Sequence, residues 1–180
     1  MEAVIHLPAG EMQADYNLKR WAELCADPEL SRIEGRLETD RHGRIIMTPP
    51  PGLDHGGYQI DIGSQLKQLL STGRVYTECP ISTRDGVRAA DVAWVDAEML
   101  ASLAPNTVCL PSAPAICVEV VSPSNSKLEL AEKRMLYFNA GAREVWQCER
   151  GSMTFFGVDD SGEEIRWERS GLVPGFPSTV

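Results

Sequence analysis

Apolar and polar positions along the chain switch between a period near 3.6 and a period of two, and the switches outline its elements. Residues 14–25 (ADYNLKRWAELC) carry the spacing of a short amphipathic helix, followed by a loop at Asp27-Pro28. Residues 34–48, beginning at Glu34, read as a hairpin with runs at 36–38 and 44–47 around Asp40-Arg-His-Gly43, and Pro49-Pro-Pro-Gly52 breaks the chain. Ile60, Ile62, Leu66, Leu69 and Leu70 predict a helix over 55–71, with Gly73 as its stop. A hairpin follows, with arms at 74–83 and 87–95 joined at Asp85-Gly86, the strongest short-range turn signal in the chain. A short helix at 96–103 and a proline-bearing segment at 105–114 lead to residues 115–121. That run is rich in β-branched residues and bounded by Pro114 and Pro123, as a strand covered on both faces would be. Residues 127–140 are dense in helix formers, between candidate N-caps in Ser122-Pro-Ser-Asn-Ser126 and a stop at Gly141. A strand at 143–148 and a last hairpin, 152–158 with 164–168 about Asp159-Asp-Ser-Gly162, complete the pattern.

From His55 onward the order is helix, strand, strand, strand, helix, strand. It predicts an α/β (α+β) fold with a mixed sheet flanked by helices: an antiparallel hairpin beside the strand at 115, and a crossover helix returning a parallel strand at 143. The 180 residues are expected to form one domain, with a core at about 55–149, an N-terminal helix and hairpin at 14–48 and a C-terminal hairpin at 152–168.

Three charged residues fit this pattern badly. Glu119 interrupts the strand at 115–121, where an ionised carboxylate is costly unless a cation, a metal or hydrogen-bond donors compensate it. The bland alternative is an edge position or a structural arginine partner. Asp91 lies in the second arm of the hairpin, where a neighbouring strand could bring it beside Glu119, or else at a strand end in solvent. On the helix at 127–140, Leu128, Ala131, Met135 and Phe138 form one apolar stripe and Leu130, Leu136 and Tyr137 a second on the opposite side, with Lys127, Glu132 and Arg134 in the seams. Lys133 falls within the second stripe. It is either a snorkelling surface lysine, paired at i,i+4 with Glu129, or an ammonium directed into the fold.

Charge and cysteine content narrow the classes. With 17 basic and 26 acidic side chains the net charge is −9, which opposes non-specific binding to polyanions and excludes a DNA-coating protein. Much of the excess acid lies near the C-terminus, while Arg84, Arg88, Lys127, Lys133, Arg134 and Arg143 leave room for a local basic patch. The five cysteines include no Cys-x-x-Cys and no metal-ligand spacing to histidine, so they are expected to be reduced, with Cys117 and Cys148 as packing residues. Ala3, Val4, Ile5 and Leu7 do not amount to a signal peptide, and no apolar run is long enough to span a membrane. The expectation is a cytoplasmic protein without membrane contact.

Asp91 in one strand, Glu119 in the next and the element order together resemble the PD-(D/E)XK nuclease superfamily, of restriction endonuclease-like fold. More narrowly, LETDRHGRIIMTPPP with His55 just after it, TRDGVRAADVAWV, and VEVVSPSNSKLELAEKRMLYFNAGAREVWQC resemble the Uma-type restriction endonuclease family, over roughly residues 29–176. The chain departs from the superfamily pattern twice: Ala90 stands where proline usually precedes the aspartate, and Val121 stands where a lysine follows two residues after the glutamate. The resemblance implies that the lysine comes instead from the following helix, at Lys133. It further implies an Mg²⁺- or Mn²⁺-dependent endonuclease acting on DNA, with Asp91, Glu119 and the main-chain carbonyl of Val120 as metal ligands and Lys133 beside the phosphate or its attacking water. Glu38 and His55 match positions in the same phrases, and Tyr137 lies one turn beyond Lys133. Glu38 and His55 are each either a support or further contact of the metal site or an ordinary structural residue, and Tyr137 either orients Lys133 in support of the site or is a core residue. A homodimer fits enzymes that cut both strands of a duplex. Two other classes stay open: a non-catalytic regulatory or protein-binding module on a nuclease scaffold, and a small-substrate phosphodiesterase.

Overall fold

The computed structural model describes residues 10–32, 35–48 and 50–180; residues 1–9, Ile33, Glu34 and Pro49 lie outside them, together with the N-terminal apolar residues, the start of the predicted hairpin at Glu34 and the first proline of the break that follows it. A two-stranded antiparallel sheet is formed by β1 (Arg36–Thr39) and β2 (Ile45–Thr48). A six-stranded sheet follows in strict chain order: β3 (Arg74–Thr83), β4 (Gly86–Val95), β5 (Ile116–Val120), β6 (Glu144–Glu149), β7 (Ser152–Val158) and β8 (Glu164–Trp167). The β5–β6 pairing is parallel and the others are antiparallel, so the sheet is mixed as expected. The helices are α1 (Gly10–Ala26), α2 (Leu53–Leu69), α3 (Ala97–Ser102) and α4 (Lys127–Asn139).

All five residues of β5 are buried, which rules out an edge position for Glu119. Ile116, Val118 and Val120 join Ile62 and Leu66 of α2, Val92, Trp146 and Phe155 in one core cluster. Cys117 joins Ala93, Val145 and Tyr137 of α4 in another. Two covered faces explain why the strand reads as a continuous apolar run. α4 is the crossover that makes β6 parallel to β5. Ser126 caps it by accepting from the Glu129 N–H at 3.1 Å, and Gly141, at φ +111°, ends it.

The structure corrects three expectations. The two apolar stripes of α4 are not equivalent: Leu130, Leu136 and Tyr137 are buried, whereas Leu128 is 69% exposed and Met135 38%. A helix lying on one sheet buries one face, and the face carrying the larger tyrosine is the one that packs. Arg134 does not stand in a solvent seam, because the β7–β8 hairpin extends beneath it. Its guanidinium lies 4.1 Å from the Phe156 ring centroid and forks onto Glu164 at 2.7 and 2.8 Å. Gly73 does not stop α2, which ends at Leu69 with Leu70 already extended; Gly73 turns the chain into β3 at φ +83°.

The β1–β2 hairpin is laid against β4, and this contact builds the site described below. Thr39 Oγ1 accepts from the Val87 N–H at 3.0 Å, and the Thr39 carbonyl accepts from Arg88 Nη1 at 2.7 Å. Gly86, at φ +91°, permits the approach, since a Cβ there would lie 2.2 Å from the Thr39 carbonyl oxygen.

At the other end of the sheet, Glu144 ties down the C-terminal segment. This carboxylate is 1% exposed and accepts from Trp146 Nε1, Ser170 Oγ and the Leu172 N–H, each at 2.7 Å. Removing it strands two buried donors and the half-buried Leu172 N–H, each costing roughly 1–3 kcal/mol. Glu144→Ala is therefore expected to lose at least about 3 kcal/mol in urea unfolding and to expose residues 170–180 to proteolysis. A loss below about 1 kcal/mol would show that Glu144 does not hold the tail.

Candidate active site

The pairing of Val92 with Val118 and of Ala93 with Cys117 sets the register of β4 against β5, and one residue further along it Asp91 comes opposite Glu119. Both side chains are buried, at 1% and 4% exposure. Asp91 Oδ2 accepts from the Val120 N–H at 2.6 Å. In a strand the carbonyl of a residue leaves on the same side as its N–H, so the Val120 carbonyl also faces β4. Asp91 Oδ1 receives Arg36 Nη1 and lies 3.3 Å from His55 Nε2, at the start of α2. Burial alone would raise the Asp91 pKa, but the His55 hydrogen bond, the Arg36 charge and the Val120 N–H together hold it below the ordinary carboxylate value.

Glu119 is supported by α4. Its Oε1 accepts from the Tyr137 hydroxyl at 2.6 Å and its Oε2 from Lys133 Nζ at 3.1 Å. Burial raises the Glu119 pKa; Lys133 opposes that shift and the facing Asp91 adds to it. The two acids are thus driven apart, one firmly ionised and one easier to protonate. Tyr137 is 0% exposed, and burial carries its own pKa well up, so it donates as a neutral phenol.

Of the two readings of Lys133, the structure has the inward one. Its side chain is 14% exposed, and Nζ bonds to Glu119 and, at 3.3 Å, to Glu38 Oε1, while Glu129 stays exposed and does not pair with it. Burial disfavours the ammonium, yet Glu119 and Glu38 outweigh that and raise its pKa. Glu38, 6% exposed on β1, also accepts from the Ala89 N–H at 3.1 Å, so the lysine is held from two strands at once.

Two members of this group were not anticipated. Arg36 stands two residues before Glu38 on β1 and so points to the same side. It pairs with Asp91, lies 3.4 Å from Glu78 and 3.5 Å from Glu38, and has its pKa raised because Glu119, Asp91 and Glu38 overcome the cost of burial. The alternation Arg36-Leu37-Glu38 was visible in the sequence, but nothing there says that the charged side faces inward. Glu78 lies between Thr77 and Cys79, which pair with Val92 and Ala90 on either side of Asp91, and has φ +49°, an uncommon conformation for a non-glycine residue; no sequence signal marks it.

The residues open into a cleft of about 500 Å³ lined by Arg36, Glu38, His55, Glu78, Asp91, Glu119, Val120 and Lys133, with Ser122, Ser124 and Asn125 at its rim. The donor set suits a hard divalent cation: two facing carboxylates and a main-chain carbonyl. His55, Glu78 and Asp91 offer a further group whose ligand atoms all lie within 4.8 Å of one another.

Because the Asp91 hydrogen bond is the largest cause of the raised His55 pKa, Asp91→Asn should lower that pKa in chelator-treated protein, as read by imidazole NMR titration. A histidine raised in the folded state contributes stability that is complete below its unfolded pKa and lost as pH rises through the folded value. The parent should therefore lose more stability over that interval than Asp91→Asn. An unchanged His55 titration would contradict the pairing.

No curated protein sequence matches the chain. Among solved structures it is similar to a protein from Anabaena variabilis described as a "putative nuclease belonging to DUF820", with 18% sequence identity, a TM-score of 0.60, and coverage of 78% of this chain and 82% of that one. At that identity the likeness concerns the fold, which is nuclease-like. The model of the family described as "Putative restriction endonuclease" matches residues 21–171 and so takes in β1, β4, β5 and α4, and the chain belongs to that family, Uma2.

Proposed function

We propose that the protein hydrolyses phosphodiester bonds of DNA with a divalent cation, Mg²⁺ or Mn²⁺, held by Asp91, Glu119 and the Val120 carbonyl. The observation that carries this reading is the opposition of Asp91 and Glu119 across β4 and β5 with an ammonium 3.1 Å from Glu119. When bound there, the cation supplies Lewis-acid polarisation of a phosphate oxygen and a more acidic bound water.

The side chains contribute the rest. The Val120 N–H fixes the Asp91 rotamer, and the Tyr137 hydroxyl fixes Glu119. Lys133, oriented by Glu38 as well as Glu119, presents its charge to the attacking oxygen or to the negative charge that builds on the phosphate. His55 and Glu38 act through other residues, His55 on Asp91 and Glu38 on Lys133. Burial of the acids lowers the local dielectric, which strengthens each of these interactions.

Substrate access is supported by a second cleft of about 590 Å³ that shares Glu38, Ile46, Glu129 and Lys133 with the first and adds Arg41, Arg84 and Arg88 together with Asp85 and Glu132. Arg84, at the tip of the β3–β4 hairpin, is exposed. Arg41 and Arg88 are both tied to Asp85, at 3.0 and 2.7 Å, so Arg84 is the cation best placed to meet a phosphate on a chain whose net charge of −9 otherwise discourages a polyanion. Cutting both strands of a duplex with this site would call for a homodimer.

The test is cleavage of supercoiled plasmid and of linear single strands with Mg²⁺, with Mn²⁺ and with chelator. The parent should cleave only with metal. Asp91→Asn and Glu119→Gln should lose cleavage and calorimetric Mn²⁺ binding, whereas Lys133→Ala should lose about 10²- to 10³-fold in rate and keep its metal affinity. Metal binding without cleavage of any DNA, or Lys133→Ala cleaving like the parent, would overturn the reading.

A further inference from the structure

Arg36 does not have the contacts of a structural ion pair. A guanidinium carries five N–H donors in a rigid fork, and where it serves as a buried scaffold those donors are matched. Here Nη1 alone makes a hydrogen bond, to Asp91 Oδ1, while Nε and Nη2 are buried without a hydrogen-bond partner. Glu78 and Glu38, at 3.4 and 3.5 Å, contribute charge but not hydrogen-bond geometry. The guanidinium is therefore held by net negative potential, and its directional contacts are poor.

The position it takes matters more than its strength. Asp91 Oδ1 is hydrogen-bonded to Arg36 and has His55 Nε2 3.3 Å away, so two cationic groups already crowd it, and Oδ2 accepts from the Val120 N–H. Glu38, Glu78, Asp91 and Glu119 face Arg36, Lys133 and His55, which leaves the group close to electrical balance. A dication added to it meets cations already in place. Lys133 is hydrogen-bonded to both Glu119 and Glu38, whereas Arg36 has a single hydrogen bond and the half-exposed Glu78 beside it, toward which a long side chain can swing.

We infer that Arg36 is the internal cation of the metal-free site, holding the place beside Asp91 that a divalent metal takes by displacing it. The inference rests on the metal-dependent reading above. Two consequences follow from the charges. Without metal, the buried acids are neutralised from within the chain and the fold does not depend on the ion. With metal, a dication has entered and a guanidinium has been released into the same cleft, so the cleft becomes more attractive to phosphate in the loaded state.

The experiment compares the parent, Arg36→Gln and Arg36→Lys by Mn²⁺ calorimetry and by thermal unfolding with and without Mn²⁺. Arg36→Gln should bind Mn²⁺ at least about tenfold more tightly, melt lower than the parent in chelator, and gain more from Mn²⁺ than the parent does. Arg36→Lys, which keeps a cation, should bind with close to parental affinity. An Arg36→Gln protein that folds only with Mn²⁺ would also support the inference, and one unfolded both with Mn²⁺ and in chelator would overturn it. Equal or weaker Mn²⁺ affinity in Arg36→Gln overturns the displacement while leaving the metal site intact. Absence of binding in all three proteins overturns the metal reading itself.

Discussion

Two carboxylates, Asp91 and Glu119, face each other from adjacent strands beneath the surface, and the rest of the arrangement answers to the cost of that placement. A buried ion left uncompensated costs several kcal/mol, and breaking a buried pair by removing one partner typically costs about 3–5 kcal/mol. No single element supplies the compensation. The β1–β2 hairpin brings Arg36 and Glu38, α2 brings His55, and α4 brings Lys133 and Tyr137. Each is held where it is by ordinary folding chemistry: a glycine that lets β1 approach β4, a serine cap that starts α4, and an apolar face that seats α4 on β5. The site is thus the place where three separately packed elements bring charge to one strand pair.

Much of this was legible from residue order. The alternation and turn signals at Asp85-Gly86 fix the β3–β4 hairpin, and the acid in an otherwise apolar run marks β5 as unusual. Lys133 stood out because it interrupts an apolar stripe. What was not legible has a common cause. Arg36 belongs to a short hairpin in a different sheet, and only tertiary docking shows that its charged side faces inward. Glu78 gains its meaning from a backbone conformation and from lying close to Asp91 and His55, neither of which is written in side-chain pattern. On α4, helical periodicity offered two stripes, and only the sheet beneath chose between them; the same β7–β8 extension turned Arg134 from a solvent residue into a clamp on Glu164.

The charge of the whole chain and the charge of the cleft tell different stories. A net charge of −9 suits a protein that does not adhere to nucleic acid in general, while Arg84 stands exposed at a cleft that shares Glu38 and Lys133 with the acidic site. If Arg36 yields its place to a metal ion, binding of metal and binding of a phosphodiester become mutually reinforcing, because each supplies charge that the other needs. The family and the nuclease-like fold fit such chemistry.

The most direct measurement is anomalous diffraction from crystals of the protein soaked in Mn²⁺. The account predicts a peak within about 2.0–2.6 Å of a carboxylate oxygen of both Asp91 and Glu119, with the Arg36 guanidinium turned away from Asp91. Crystals saturated with Mn²⁺ that show no peak between the two acids, and Arg36 still seated on Asp91, would contradict it.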